Sequence, residues 1–267
     1  MESSLLFIIF MAIVQGIAEF LPISSSGHLA ILGRLFCFDA ETNATLNIVL
    51  HAGTLLAIII YYFKELINIL KKYDLNLIGK LIIATIPVGI AGMVVKSMAW
   101  DESIFNNLFV PGFGFLITAT LLLWGQKTKD NKTLDKLTFK QSLFIGLAQA
   151  IAVLPGISRA GSTISTGLKC GLEKADAARF SFLLAIPAIG GVVLVKMFLL
   201  LKNGKITLHS LDISHLAIGF IVSAFVGYFS LRLLLKLLKR GDFKYFACYL
   251  YVLGLATLIW AITDIYV

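Results

Sequence analysis

Long apolar runs alternate with short polar stretches along the chain. The clearest runs are residues 44–63, 81–97, 108–125, 180–200, 215–232 and 246–264, each near the ~20 residues that carry a helix across a bilayer. They predict six transmembrane helices. Two further segments, 4–35 and 141–168, are apolar but broken in mid-course, the first at EFLPISSSGH (Glu19–His28) and the second at LPGISRAGST (Leu154–Thr163). Proline, serine and glycine stop a helix where it should still be running. Non-helical backbone at membrane depth is tolerated only where protein or a water-filled cavity surrounds it. Each broken segment therefore predicts a re-entrant helical hairpin.

The loops sort by sign. Residues 64–80 carry Lys64, Lys71, Lys72 and Lys80 against Glu65 and Asp74, 126–140 carry five lysines against Asp130 and Asp135, and 232–244 carry Arg232, Lys236, Lys239, Arg240 and Lys244 against Asp242. The positive-inside rule makes these cytoplasmic. Residues 37–45, with only Asp39 and Glu41, and 101–108, with only Asp101 and Glu102, read as external. Loop 201–214, with Lys202 and Lys205, fits its external side poorly. For the sides to alternate, 4–35 must enter and leave on the outer face and 141–168 on the inner one.

A repeat agrees with that. At an offset of 134, Gln15, Ile17, Ala18, Ile23, Ser24 and Gly27 match Gln149, Ile151, Ala152, Ile157, Ser158 and Gly161; at 128, LLAI at 55–58 matches LLAI at 183–186. The expected fold is an all-α polytopic membrane protein forming one domain. Its halves, about 1–133 and 134–267, each hold one re-entrant hairpin and three spans. Three is odd, so the halves are oppositely oriented, as in inverted-repeat transporters whose broken helices meet near the midplane.

Composition narrows the classes. Hydrophobic residues are 58% of the 267 and charged residues 14%, with mean hydropathy +0.91, whereas a soluble domain carries about 25% charged residues. The net charge of +8 lies in short loops, which makes it topogenic and excludes a nucleic-acid partner. Cys37, Cys170 and Cys248 are far apart and suggest neither a disulfide framework nor a metal cluster. With Glu2 in place of a basic n-region, no signal peptide is expected.

Chemistry gathers at the two breaks. Glu19 follows Gln15 by one turn, so both share a helix face, and a carboxylate within a membrane segment is a functional candidate. Arg159, in the second break, is its natural partner. Ser24, Ser25 and Ser26 are placed to cap a returning helix, whose free N–H groups attract anions. Plainer readings stand beside these: a structural Glu19–Arg159 pair, serines that only cap, and a His28 that bonds a backbone carbonyl. His51, which the repeat aligns with Arg179, reads as structural. Taken together, a carboxylate, a guanidinium, a histidine and hydroxyls beside two helix N-termini point to a phosphorylated lipid and to acid–base or nucleophilic chemistry.

At these residues the chain resembles the undecaprenyl-diphosphatase, or bacitracin resistance, family. QGIAE (Gln15–Glu19) matches that family's (E/Q)xxxE, LPISSSGH (Leu21–His28) its LPxSSxGH, and PGISRAGST (Pro155–Thr163) its PGxSRSxxT, with Ala160 in place of a serine. ARFSFLLAIP (Ala178–Pro187) is similar to the family as well. The resemblance implies hydrolysis of undecaprenyl diphosphate to undecaprenyl phosphate and inorganic phosphate, recycling the carrier lipid of peptidoglycan synthesis and conferring bacitracin resistance. It implies a bacterial plasma-membrane enzyme with a site open to the outer side. Glu19, Ser25, His28 and Arg159 are its expected catalytic residues, with Ser25 the nucleophile and His28 its base. Gln15, Ser24, Ser26, Gly27, Gly156, Ser158 and Thr163 are the expected substrate contacts. A divalent cation, Mg2+ or Ca2+, is expected, with Glu19 as its ligand. The expected partners are the polyprenyl diphosphate and membrane lipids, with a homodimer left open as the assembly. Type 2 phosphatidate phosphatases share SGH and SR, but Ser165 stands where their second histidine belongs and their KxxxxxxRP motif is absent. A polyprenyl-phosphate flippase or ion-coupled transporter is the alternative, since fold does not fix function.

Overall fold

In the computed structural model the apolar runs are helices. The structure describes residues 2–36, 40–97, 107–126, 132–202, 213–240 and 243–264. In order, these form α1 (Glu2–Ala18), α2 (Ser25–Leu35), α3 (Ala40–Tyr61), α4 (Phe63–Lys71), α5 (Leu75–Ser97), α6 (Phe109–Gln126), a 3₁₀ turn (Leu134–Lys136), α7 (Phe139–Ile151), α8 (Arg159–Lys169), α9 (Lys174–Lys202), α10 (Ile213–Arg240) and α11 (Lys244–Thr263). Among the described residues, five helices are long and apolar enough to cross a bilayer alone, and a sixth span arises if α3 and α4 count as one pair bent by 65°. Side chains such as Phe10, Ile86, Leu194, Phe225 and Ile259 stand exposed along these helices, as a lipid-facing surface requires. The chain is a multi-pass membrane protein.

Two broken segments are present where serine, glycine and proline interrupt the apolar pattern, with α1 followed by α2 and α7 followed by α8. Each pair packs within itself. In addition α1 lies on α10, α7 on α5, α3 on both α9 and α10, and α6 on α11. The core between them is aromatic at its centre, where Phe20, Phe115, Phe180 and Phe182 are fully buried.

Segment 64–80 is more helical than its charge suggests. The helix turns sharply at Tyr62 and runs on as α4, and α5 starts at Leu75, ahead of the apolar run. The reason is a cap: Leu77 N donates to Asp74 Oδ1 at 3.0 Å, which satisfies an amide that has no partner inside the helix. The same device starts α7, where Thr138 and Gln141 form a reciprocal capping box. Much of the expected outer and inner loops, namely 37–39, 98–106, 127–131 and 203–212, lies outside the described residues.

Candidate active site

Each broken segment ends one helix and caps the next. In the first, α1 stops at Ala18 and the chain turns through Glu19–Ile23. The hydroxyl of Ser24 then accepts from Gly27 N at 3.3 Å to open α2. Ser24 does this at φ 68°, a left-handed conformation that costs a non-glycine residue about 1–3 kcal/mol and clusters at functional sites. In the second break Gly156 takes the left-handed position, φ 86°, where glycine carries no such cost. Ser158 Oγ then accepts from Gly161 N at 3.0 Å to open α8.

The two breaks touch. A Cβ on Gly27 would sit 2.8 Å from Gly156 Cα and 2.6 Å from Phe115 Cζ, so only a bare Cα allows this approach. Thr118, on α6, ties the second break down. It donates to Gly156 O at 3.0 Å and accepts from Ser158 N at 2.9 Å. Two helix N-termini, each with orphan N–H groups and the positive end of a helix dipole, thus begin beside one another.

Glu19 is the hub of what lies between them, with its side chain only 7% exposed. Its Oε1 accepts from Arg159 Nη2 at 2.9 Å. Its Oε2 accepts from Ser25 Oγ at 2.6 Å and from Gln15 Nε2 at 3.1 Å, and His51 Nε2 stands 3.6 Å from the same oxygen. The pair Glu19–Arg159, 140 residues apart in sequence, is therefore formed as the two breaks predict. Arg159 Nη1 donates to Ser181 O at 3.3 Å, and its guanidinium lies 6.0 Å from the Phe182 ring centre. Arg159 Nε is buried with no protein partner, which leaves a donor of the fork unused.

The structure brings Gln15, Glu19, Ser25 and Arg159 together. It does not bring His28 to Ser25. His28 Nδ1 is 2.8 Å from Ser24 O and Nε2 is 2.7 Å from Tyr249 Oη, with the two rings stacked at 13° and 5.8 Å. A three-residue spacing places two side chains near one face, but Ser25 opens α2 and turns its hydroxyl back across the break to the carboxylate. The oxygen beside the Ser25 hydroxyl is that of Glu19. Ser26 meets Ser24 at 3.3 Å, and Thr163 supports Arg159 from behind, donating to Arg159 O at 2.8 Å and meeting Ser181 Oγ at 2.6 Å. Arg179, aligned with His51 by the repeat, pairs instead with Glu65.

Sequence reasoning missed the contribution of α3. Asn47, His51 and Thr54 fall at i, i+4 and i+7, a polar stripe on one face of the part of α3 that is otherwise apolar, from Leu46 on. Thr54 Oγ1 lies 3.5 Å from Gln15 Nε2. That stripe was the available signal; for Ser181 the signal was its place in ARFSFLLAIP, and Tyr249, among ordinary membrane residues, carried none.

For a divalent cation, the donor set is thin. Glu19 is the one carboxylate of this cluster and both its oxygens are engaged, and among the described residues no group of three His, Cys, Asp or Glu could hold a metal ion. A closed protein cage is not built here. The set matches the way Mg2+ is commonly held, through one or two carboxylates with substrate phosphates and water completing the shell.

A family model described as "Bacitracin resistance protein BacA" matches residues 8–256. The chain is 37% identical to the undecaprenyl-diphosphatase of Methanosphaera stadtmanae over 94% of this chain and 96% of that protein. It is 39% identical to undecaprenyl-diphosphatase 3 of Bacillus cereus over 96% and 97%. To the undecaprenyl-diphosphatase of Treponema denticola it is 41% identical over 92% and 94%.

Proposed function

The chain belongs to the bacitracin resistance protein BacA family, and from that membership and the geometry of the two breaks we propose that it hydrolyses undecaprenyl diphosphate to undecaprenyl phosphate and inorganic phosphate. This returns the carrier lipid to peptidoglycan synthesis and gives resistance to bacitracin. The observation that carries the reading is the line Ser25–Glu19–Arg159: a hydroxyl at 2.6 Å from one carboxylate oxygen and a guanidinium at 2.9 Å from the other, beside two helix N-termini.

A serine is a weak nucleophile until a base takes its proton, and Glu19 Oε2 is the base within reach. Ser25 Oγ bonds to the terminal phosphorus while the bond from that phosphorus to the bridging oxygen breaks. Undecaprenyl phosphate leaves with that oxygen, and the proton passes to Glu19. Water then bonds to that phosphorus as its bond to Ser25 Oγ breaks, Glu19 returns the proton to the serine oxygen, and inorganic phosphate departs. Arg159, through its unused Nε edge, and the amides at the starts of α2 and α8 bind the oxygens of the transferring group as charge redistributes. Gln15 steadies Glu19. Ser24, Ser158 and Gly156 shape the phosphate cradle through caps and bare backbone, and Thr163 backs Arg159. His28 reaches the reaction only after Nε2 leaves Tyr249. Glu19 would be the protein contact of a divalent cation, which would supply neutralisation of the diphosphate charge.

Membership of the family supports a site open to the outer face of the plasma membrane, and the loop charges support two halves of opposite orientation. The packing of α1 on α10 and of α7 on α5 is what a two-fold exchange of the halves generates. In a cysteine-free background, Asn107→Cys should react with an impermeant thiol reagent added to intact cells, and Thr133→Cys should not. Reaction at residue 133, or none at 107, would reverse the assigned sides.

The reading itself is tested by phosphate release from the purified protein in detergent or in vesicles, with undecaprenyl diphosphate supplied. Stoichiometric inorganic phosphate and undecaprenyl phosphate are expected. Transport of the intact diphosphate without phosphate release would instead establish the flippase alternative.

A further inference from the structure

We propose that α4 and the turn after it form an in-plane docking surface for anionic phospholipid headgroups, on the membrane side that the loop charges assign to the cytoplasm. Lysines in such a loop are topogenic whatever they touch, but the arrangement of α4 says more. The helix departs from α3 at 65°, so beside an upright span it runs nearer the membrane plane than the membrane normal. Helical spacing then divides its residues into three faces. Ile69 is buried, Leu66 packs against the core, and Glu65 pairs with Arg179 of α9; this face holds the protein. Phe63, Ile67 and Leu70, at i, i+4 and i+7, form an apolar face on which Phe63 and Leu70 are exposed. Lys64, Asn68 and Lys71 repeat that spacing one residue on, and all three are exposed. Protein, apolar and basic faces around one helix are what a position between lipid and water requires.

The charges of this segment are not matched from within. Glu65 is taken by Arg179 and Asp74 by the cap of α5, while among the described residues Lys64, Lys71 and Lys72 pair with no carboxylate. The end of the helix adds an anchor. Asp74 N donates to Ile69 O at 3.1 Å and Tyr73 N to Leu70 O at 3.3 Å, the paired bonds that close a helix through a left-handed residue, usually glycine. Here that residue is Tyr73, at φ 48° and 79% exposed. A bulky side chain held in that conformation and left in water has nothing to offset the cost. At a membrane surface the ring has a partner, since tyrosine is favoured at headgroup level. Two observations name the occupant. α4 leaves directly from a membrane helix, so its exposed apolar face begins at lipid, and the unpaired charge beside that face is wholly positive. An anionic leaflet attracts each basic residue beside a span with about fivefold preference.

The test uses the full chain in a cysteine-free background, with a fluorophore on Leu70→Cys or Asn68→Cys, in vesicles of equal parts phosphatidylcholine and phosphatidylglycerol. One lipid or the other is brominated in its acyl chains, so that quenching reports which of them borders the label. At Leu70→Cys, bromine on phosphatidylglycerol should quench as if that lipid were enriched about fivefold or more, and aqueous iodide should quench little. At Asn68→Cys, iodide should quench strongly. High salt should abolish the difference between the two lipids, because attraction to headgroups is screened. Lys64→Gln, Lys71→Gln and Lys72→Gln combined in one chain should abolish it at low salt. Should that triple variant fail to fold, the salt series on the labelled chain alone decides. Equal quenching by the two lipids at low salt overturns the anionic partner, and a preference that survives both high salt and the triple variant overturns the role of the lysines. Iodide quenching as strong at Leu70→Cys as at Asn68→Cys overturns the docking, since α4 then stands in water. A Leu70→Cys label shielded from iodide and from both lipids overturns it too, with a second copy of the chain as the cover.

Discussion

Glu19→Gln and Arg159→Lys each lose at least about 10²–10³-fold in turnover, the cost of deleting one preorganised group aimed at developing charge. Gln keeps the volume of Glu19 and its bond from Ser25 but no longer accepts the serine proton. Lys keeps the charge of Arg159 and loses the planar fork that grips two phosphate oxygens together, including the Nε edge now without a protein partner. Both residues are deeply placed, with side chains 7% and 14% exposed, and breaking a buried pair from one side costs about 3–5 kcal/mol because the remaining charge is stranded. Folding must therefore be separated from chemistry. Glu19→Gln with Arg159→Gln removes both charges at once and relieves that cost. A pair that served only the fold would leave this double variant stable and active. The assigned role instead requires it to be stable and inactive, measured as phosphate release against an unfolding midpoint near that of wild type. Near-normal turnover in any of the three variants excludes it.

The breaks and the Glu19–Arg159 pair were legible because each violates a rule that membrane helices otherwise obey. Proline, serine and glycine cannot continue an apolar helix, and a carboxylate at that depth demands a counter-charge, which only one arginine in a matching position supplies. Spans were legible for the same reason, through length and hydropathy. The bend at Tyr62 was not, since its residues are as apolar as their neighbours and the turn is set by packing. Nor was the early start of α5, which follows from one cap, Asp74, inside a segment whose lysines read as loop. The choice of Glu19 over His28 as the neighbour of Ser25 was beyond spacing altogether. Both lie within a few residues of Ser25, and the outcome depends on how the turn Phe20–Ile23 folds back and on Tyr249, 221 residues away from His28.

Ser25→Ala abolishes nearly all turnover while undecaprenyl diphosphate still binds. Ser25 opens α2, is 7% exposed, and holds its hydroxyl on Glu19 Oε2 at 2.6 Å, a short bond of the kind formed to an ionised acceptor. Neither neighbour has this arrangement: Ser24 spends its oxygen on the cap to Gly27 and Ser26 meets Ser24. Ser24→Ala should therefore act chiefly through the lost cap, at about 0.5–2 kcal/mol of stability, and Ser26→Ala should be mild. The competing mechanism sends water directly at phosphorus, with Glu19 as its base and the serines binding phosphate only. It predicts that Ser25→Ala weakens binding and retains substantial turnover at saturating lipid. Covalent catalysis predicts unchanged binding, loss of turnover, and phosphate trapped on Ser25 when the wild-type reaction is quenched rapidly. Serine attack fails as the mechanism if Ser25→Ala keeps a large share of wild-type kcat; a missing trapped species alone does not decide it, because cleavage of the phosphoserine can outpace its formation.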